Sequence, residues 1–287
     1  MAGASRTAVG VAALRAAHLV VDRPPFVLDD HIAIQLIDPD TRAKLGAPGA
    51  AEALAKVAAL RAHVVVRSRF AEDCLADAVA RGVTQYVLLG AGLDTFAWRQ
   101  PAWASALRIY EVDQPASQGD KQERLARAGL PSPANLIFVP VDFATDVLGD
   151  RLREAGVDPG RPVFFSWLGV TPYLDEPAID DVLRVIASGA SGTEVVLTFA
   201  PLRDTPTRVA EMAAAMGEAF RSYFTPESLE AKLRGFGFAD VSFLTPAEAT
   251  ARYFASRGDD LALPRSTSIA RARLRRSAAT AGKPERH

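Results

Sequence analysis

Apolar residues follow two regimes along this chain. Up to about residue 80 they recur at helical spacing among alanines, arginines and polar positions. After residue 83 they gather into short runs closed by glycine or proline. Runs of that length, rich in β-branched and aromatic side chains, fit buried strands better than helix segments. Five such runs cover 85–89, 107–112, 136–141, 162–166 and 194–199, with helical patterns at 116–127 and 176–187 between them. Strands that alternate with helices argue for an α/β fold, a parallel sheet with helices on both faces. Further on, 226–234 reads as a helix stopped by Gly235 and Gly237. Segments 240–244 and 268–274 read as two more strands around a helix at 246–256.

The first 80 residues predict a helical cap. A helix over 1–22 ends at Arg23-Pro24-Pro25, because proline disfavours helix in the residue before it. Asp29-Asp30 opens a short helix through Leu36, with acids favourable in its first turn. Pro39, Gly46, Pro48 and Gly49 mark 40–49 as a loop. A long alanine-rich helix follows over 50–80, weakest at Val64-Val65-Val66.

Charge changes this picture little. The 33 basic and 34 acidic side chains leave a net charge of −1, which argues against a chain built to coat nucleic acid or an anionic membrane. That sum hides a basic end: residues 265–287 carry +6 and the rest −7. The single cysteine, Cys74, excludes an internal disulfide and a cysteine metal cluster. The start lacks an apolar signal core, and no run of 18 apolar residues occurs. The expectation is a soluble cytoplasmic protein without a nucleic-acid or membrane partner. Asp29-Asp30 and Asp259-Asp260 read as capping or solvated acids, and no metal is expected.

The candidate chemistry sits where the strands end. Gly90-Ala91-Gly92-Leu93-Asp94-Thr95 follows the first strand, and its glycines let the backbone approach a ligand. Thr95 stands where the dinucleotide fingerprint G-x-G-x-x-G needs its third glycine. Asp113 ends the second strand, 21 residues after Gly92. It suits a ribose diol, since a carboxylate accepts from both hydroxyls; the alternative is a helix cap ahead of Gln114-Pro115. Asp142-Phe143 ends the third strand, an acid for the adenine amine and a ring to pack on the base. That order suits an adenosyl ligand without a pyrophosphate, S-adenosylmethionine rather than NAD. A nicotinamide oxidoreductase and a non-catalytic adenosyl-binding module are the competing readings.

These residues resemble the leucine carboxyl methyltransferase family and its bacterial relatives, S-adenosylmethionine-dependent O-methyltransferases. The resemblance rests on Ser5-Arg6-Thr7-Ala8, Val66-Arg67-Ser68-Arg69-Phe70, Leu88 to Thr95, Glu111 to Pro115, Val139 to Phe143 and Trp167 to Leu174. It implies a Rossmann-like class I methyltransferase fold, a mostly parallel seven-stranded sheet with an antiparallel last strand, 268–274, whose arginines belong to a sheet edge. The parts would be a helical cap over 1–80, a cofactor-binding domain over 81–276 with a lid at 203–223, and a disordered tail over 277–287.

The resemblance also implies roles. Gly90, Ala91 and Gly92 would pass under the methionine part of the cofactor, and Asp113 with Gln114 would hold the ribose. Asp142 and Phe143 would hold the adenine. Arg67, rather than Arg69, would pair with the cofactor carboxylate. Relatives often carry a glutamate five residues before the tyrosine of the strand-four motif, where this chain has Leu168. Of four histidines, His31 in the cap is the first candidate for a base and His18 the second. Tyr173, Met212, Met216 and Tyr223 would line the acceptor pocket. The implied reaction is methylation of a carboxylate or hydroxyl of a small molecule, such as a natural product of secondary metabolism, or of a peptide carboxyl.

Overall fold

The computed structural model describes residues 6–142, 145–205, 207–215, 217–258, 261 and 265–275. Its strands are β1 (Gln85–Leu89), β2 (Arg108–Asp113), β3 (Leu136–Pro140), β4 (Val163–Trp167), β5 (Glu194–Thr198), β6 (Phe238–Phe243) and β7 (Ile269–Leu274). They form one sheet in the order β3-β2-β1-β4-β5-β7-β6. β1 to β5 run parallel, and β7 is antiparallel to both its neighbours. Every residue of β1, β4 and β5 is buried, which is why these strands read as unbroken apolar runs. The strand order reverses between β1 and β4, and such a switch point opens a crevice at the carboxyl ends of the strands.

The helices are α1 (Arg6–Val21), α2 (Ala33–Leu36), α3 (Pro39–Leu45), α4 (Ala50–Ala55), α5 (Ala58–Ala80), α6 (Pro115–Arg127), α7 (Leu148–Glu154), α8 (Glu176–Ala187), α9 (Arg208–Ala215), α10 (Pro226–Gly235) and α11 (Pro246–Tyr253). One side of the sheet packs on α7, α8 and α10 through Leu152, Ile179, Leu183, Leu229 and Leu233. The other packs on α5 and α11 through Val65, Leu75, Ala78 and Ala249. α1 to α3 share a smaller core with Leu93 of the glycine turn. No helix among the described residues is long and apolar enough to cross a membrane.

Four sequence expectations need correction. The loop expected at 40–49 contains α3: Pro39 opens it where no N–H is needed, and the Asp38 side chain accepts from the Thr41 N–H at 2.8 Å. The long helix breaks at Lys56-Val57, not at the valines, whose burial in the core overrides their weak helix propensity. Of the two readings for Asp30, capping or solvated, it is the capping one that holds, ahead of a helix that starts only at Ala33. Asp30 is fully buried, accepts from Arg15 Nε at 2.7 Å, and its Oδ1 takes the Ala33 N–H that opens α2. Finally, β7 is not an edge. It buries four of its six residues and lies inside β6, which buries one. Its arginines are held there: Arg271 Nε donates to the buried Glu194 at 2.5 Å, and Arg273 pairs with Asp240.

The cap is tied to the sheet by ionic contacts under 10% exposed at their arginines. Arg15 donates to the Leu93 carbonyl at 2.5 Å as well as to Asp30. Arg99 stands 3.6 Å from Asp30 and donates to Glu72 of α5 at 2.5 Å. Burial pushes the Asp30 carboxyl up, but Arg15 and Arg99 outweigh it and hold it below its ordinary range.

Candidate cofactor and acceptor site

A cavity of about 1230 Å³ opens at the switch point. The glycine turn forms part of its wall. The N–H groups of Gly90 and Ala91 both donate to the Val112 carbonyl, at 2.8 and 3.0 Å, which bends the chain sharply after β1. Gly90 has φ +67, and a Cβ there would run into the Val170 side chain. The turn is therefore closed to any other residue, and its backbone faces the cavity.

Asp113 stands opposite this turn. Its Oδ2 accepts from the Gly92 N–H at 2.5 Å and its Oδ1 from the Gln114 N–H at 2.7 Å. Burial pushes its carboxyl above the ordinary range, against the pull of those two donors. The cap position of α6 belongs to Gln114, so Asp113 is not the helix cap that its position allowed. Each oxygen keeps a further acceptor site for a cavity ligand.

Arg67 projects from the middle of α5 into the same cavity. Its guanidinium has no hydrogen-bond partner among the described residues, and its Nε is buried. Burial first, and the nearby Arg15 second, push its pKa down to about 10. Gly169, at φ +73, makes the room: a Cβ there would lie 2.8 Å from the guanidinium. A cation without a partner in such a place costs several kcal/mol until an anion arrives. Arg69, two residues on, is bound instead to Asp73 at 2.7 Å.

The other expected residues divide. Gly90, Ala91, Gly92, Asp113, Gln114, Tyr173, Met212 and Tyr223 all line the cavity, with Met212 and Tyr223 each 40% exposed at its rim. Leu168 lines it too, half-buried. Asp142 does not: it is exposed beyond β3, its N–H donating to Asp146. Phe143 and Met216 lie outside the described residues, as do Asp259-Asp260 and segment 277–287.

The histidine expectation also needs correction. His31 is 62% exposed at its side chain, 3.9 Å from the Asp29 carboxylate, and is not part of the cavity wall. The chain turns Asp30 inward at this point and leaves its neighbours outside. His18 is fully buried with both nitrogens engaged, Nδ1 with Asp22 at 2.8 Å and Nε2 with the Val27 N–H at 3.1 Å. The histidine that does line the cavity is His63, one turn before Arg67 on α5. Helical spacing held the signal, since residues four apart share a face.

This geometry meets the comparisons with known proteins. Residues 8–187 match leucine carboxyl methyltransferase, which is well over half of the chain. The chain belongs to the leucine carboxyl methyltransferase family. This methyltransferase is 34% identical to a Frankia alni protein over 255 residues, covering 87% of each chain. It is also 34% identical to YktD of Bacillus subtilis over 206 residues, covering 69% of this chain and 67% of YktD. Both relatives carry provisional names as S-adenosyl-L-methionine-dependent methyltransferases. A Thermobifida fusca structure, provisionally named a methyltransferase, superposes with a TM-score of 0.55 at 18% identity, covering 91% of this chain and 97% of its own. That likeness is one of fold. The matched span holds α5, the glycine turn and Asp113, and it ends before α9.

Proposed function

We propose that this methyltransferase moves a methyl group from S-adenosyl-L-methionine to an oxygen, carboxylate or hydroxyl, of a small and largely apolar acceptor. S-adenosyl-L-methionine is the methyl donor of its family. The residues present fit that donor. Arg67 is a half-buried cation with no hydrogen-bond partner among the described residues, and the donor has a carboxylate. Asp113 is a buried acceptor beside a backbone turn open to a ligand, and the donor has a ribose diol. When bound, the donor supplies a methyl group on a sulfonium, already electrophilic, so the protein's main task is positioning. Arg67 anchors one end, Asp113 holds the sugar, and the Gly90–Gly92 backbone lets the chain between them lie close. The nicotinamide alternative is set aside by the family.

One observation carries the acceptor half. Away from Arg67 and Asp113 the cavity wall includes Leu14, Leu60, Phe199, Leu202, Met212 and Phe220, interspersed with the charged Arg203, Asp204, Glu218 and Arg265. A flexible thioether at the rim suits an apolar body of variable shape. Calorimetry with S-adenosylhomocysteine tests the donor half. Asp113→Ala should weaken binding by about 1.5–3 kcal/mol, the range for hydrogen bonds to a charged group. Unchanged affinity in a folded variant would remove the ribose assignment. For the acceptor half, Met212→Ala should lower the affinity for apolar acceptors and leave S-adenosylhomocysteine binding alone.

A further inference from the structure

His63 is a polar ring on a mostly apolar stretch of wall. Leu60 and Val64 flank it on α5, and all three line the cavity. Its Nδ1 stands 3.5 Å from Ser268 Oγ, just before β7. Nε2 has no hydrogen-bond partner among the described residues. His63 is half-buried and Nε2 is not closed off by the protein, so the nitrogen is open to whatever occupies the cavity. Arg67 lies four residues on, about 6 Å along the same helix face. The Arg67 charge acts on His63, and both side chains line the same cavity.

Resting on the donor assignment above, we propose that His63 takes the proton from an acidic hydroxyl, a phenol or enol, and so makes that the acceptor class. Nδ1–H donates to Ser268 Oγ and leaves the Nε2 lone pair facing the cavity. The acceptor O–H proton passes to Nε2 as an oxygen lone pair forms the bond to the methyl carbon. The carbon–sulfur bond breaks and its electron pair stays on sulfur, giving S-adenosylhomocysteine. The imidazolium then loses its proton to water. A carboxylate acceptor is already ionised and would leave the open nitrogen without a task.

The ring is neutral and ready for this. Burial first, and the Arg67 charge second, push its pKa down to about 3. Arg15 on α1, Arg203, Arg265 and Tyr173 face the same cavity, as do the carboxylates of Asp94, Asp113, Asp204 and Glu218. A donor carboxylate on Arg67 would offset the Arg67 charge that acts on His63, while the sulfonium beside the methyl adds a positive charge of its own, so the ring stays a weak base. A base still weak after that favours a phenol, with a pKa of about 10, over an alkyl alcohol.

The test uses the full chain with S-adenosylmethionine and three probes: 4-butylphenol, 4-nitrophenol and 4-butylbenzoate. Formation of S-adenosylhomocysteine is followed. Wild type should methylate both phenols. His63→Ala and His63→Gln should lower kcat for 4-butylphenol about 100-fold. The loss should be smaller for the more acidic 4-nitrophenol, with KM and S-adenosylhomocysteine affinity within about twofold of wild type. No loss, an equal loss for both phenols, turnover of the benzoate alone, or no phenol turnover by protein that binds S-adenosylhomocysteine overturns the inference. Failure of wild type to bind S-adenosylhomocysteine overturns the donor assignment instead.

Discussion

A desolvated guanidinium that makes no hydrogen bond is a liability that an anionic ligand relieves. Arg67 is such a group, with its pKa pulled down to about 10. Arg67→Met should therefore stabilise the ligand-free protein by about 1–3 kcal/mol, seen as a raised Tm. The same variant should lose at least about 100-fold in S-adenosylhomocysteine affinity, since a charge-assisted and potentially bidentate pair is gone. A lowered Tm would mean that Arg67 has a structural partner. His63 gives a second prediction, in pH. Below about 6.5 the unfolded chain takes up a proton there that the folded chain refuses until about 3. Stability contributed by the neutral ring is thus present above the unfolded value and lost as the pH falls through that window. His63→Gln should flatten the Tm-against-pH curve between pH 6 and about pH 4. An unchanged slope would show that His63 titrates normally. The glycine turn and Asp113 were legible in the sequence because strand ends fix where backbone and acids can meet a ligand. His31 misled because neighbouring acids mark a cap segment without saying which residue turns inward.

Elements show where local patterns lose to packing. The valines of α5 look like a weak point in a helix, yet Val65 and Val66 pack in the core against the sheet, Val64 lines the cavity, and the helix runs through all three. The rank of β7 within the sheet was not legible, because strand order along a chain does not give order in space. What decides it is which of the two antiparallel strands has more to bury. α6 carries a further prediction. Lys121 Nζ lies 2.5 Å from Glu111 of β2, both almost wholly buried, with the Trp98 ring 5.1 Å from the ammonium. Burial lifts the Glu111 carboxyl to about 7 in spite of Lys121. Lys121→Met should destabilise the protein by about 3–5 kcal/mol, and less at pH 5 than at pH 8, where the lone carboxyl must either stay charged in the core or take up a proton against the solution pH. Lys121→Met combined with Glu111→Leu should recover most of the loss in a denaturant titration. A double variant no better than the single would assign the cost to packing.

At the scale of the whole molecule, the cavity is assembled from parts of unequal legibility. The residues proposed to anchor the donor, Arg67, Gly90, Gly92 and Asp113, lie within the span that matches the family, residues 8–187, and they are the ones the sequence singled out. The wall proposed to face the acceptor joins Leu14, Leu60 and His63 from inside that span to Phe199, Leu202, Met212, Phe220 and Ser268 beyond it, side chains of ordinary types that meet only through the fold. Near-neutral net charge did not reveal that α5 and α1 aim Arg67 and Arg15 into one cavity. The tie between cap and sheet has a consequence for exchange of parts among relatives. Arg15, Asp30, Glu72 and Arg99 come from four separate stretches of chain, and Arg15 also grips the carbonyl of Leu93 in the glycine turn. A chimera that takes its first 50 residues from a relative without the Arg15–Asp30 pair would strand Arg99 beside a gap and loosen the turn. Such grafts should swap acceptor preference cleanly only when all four ionic residues travel or stay together, as one inheritable unit.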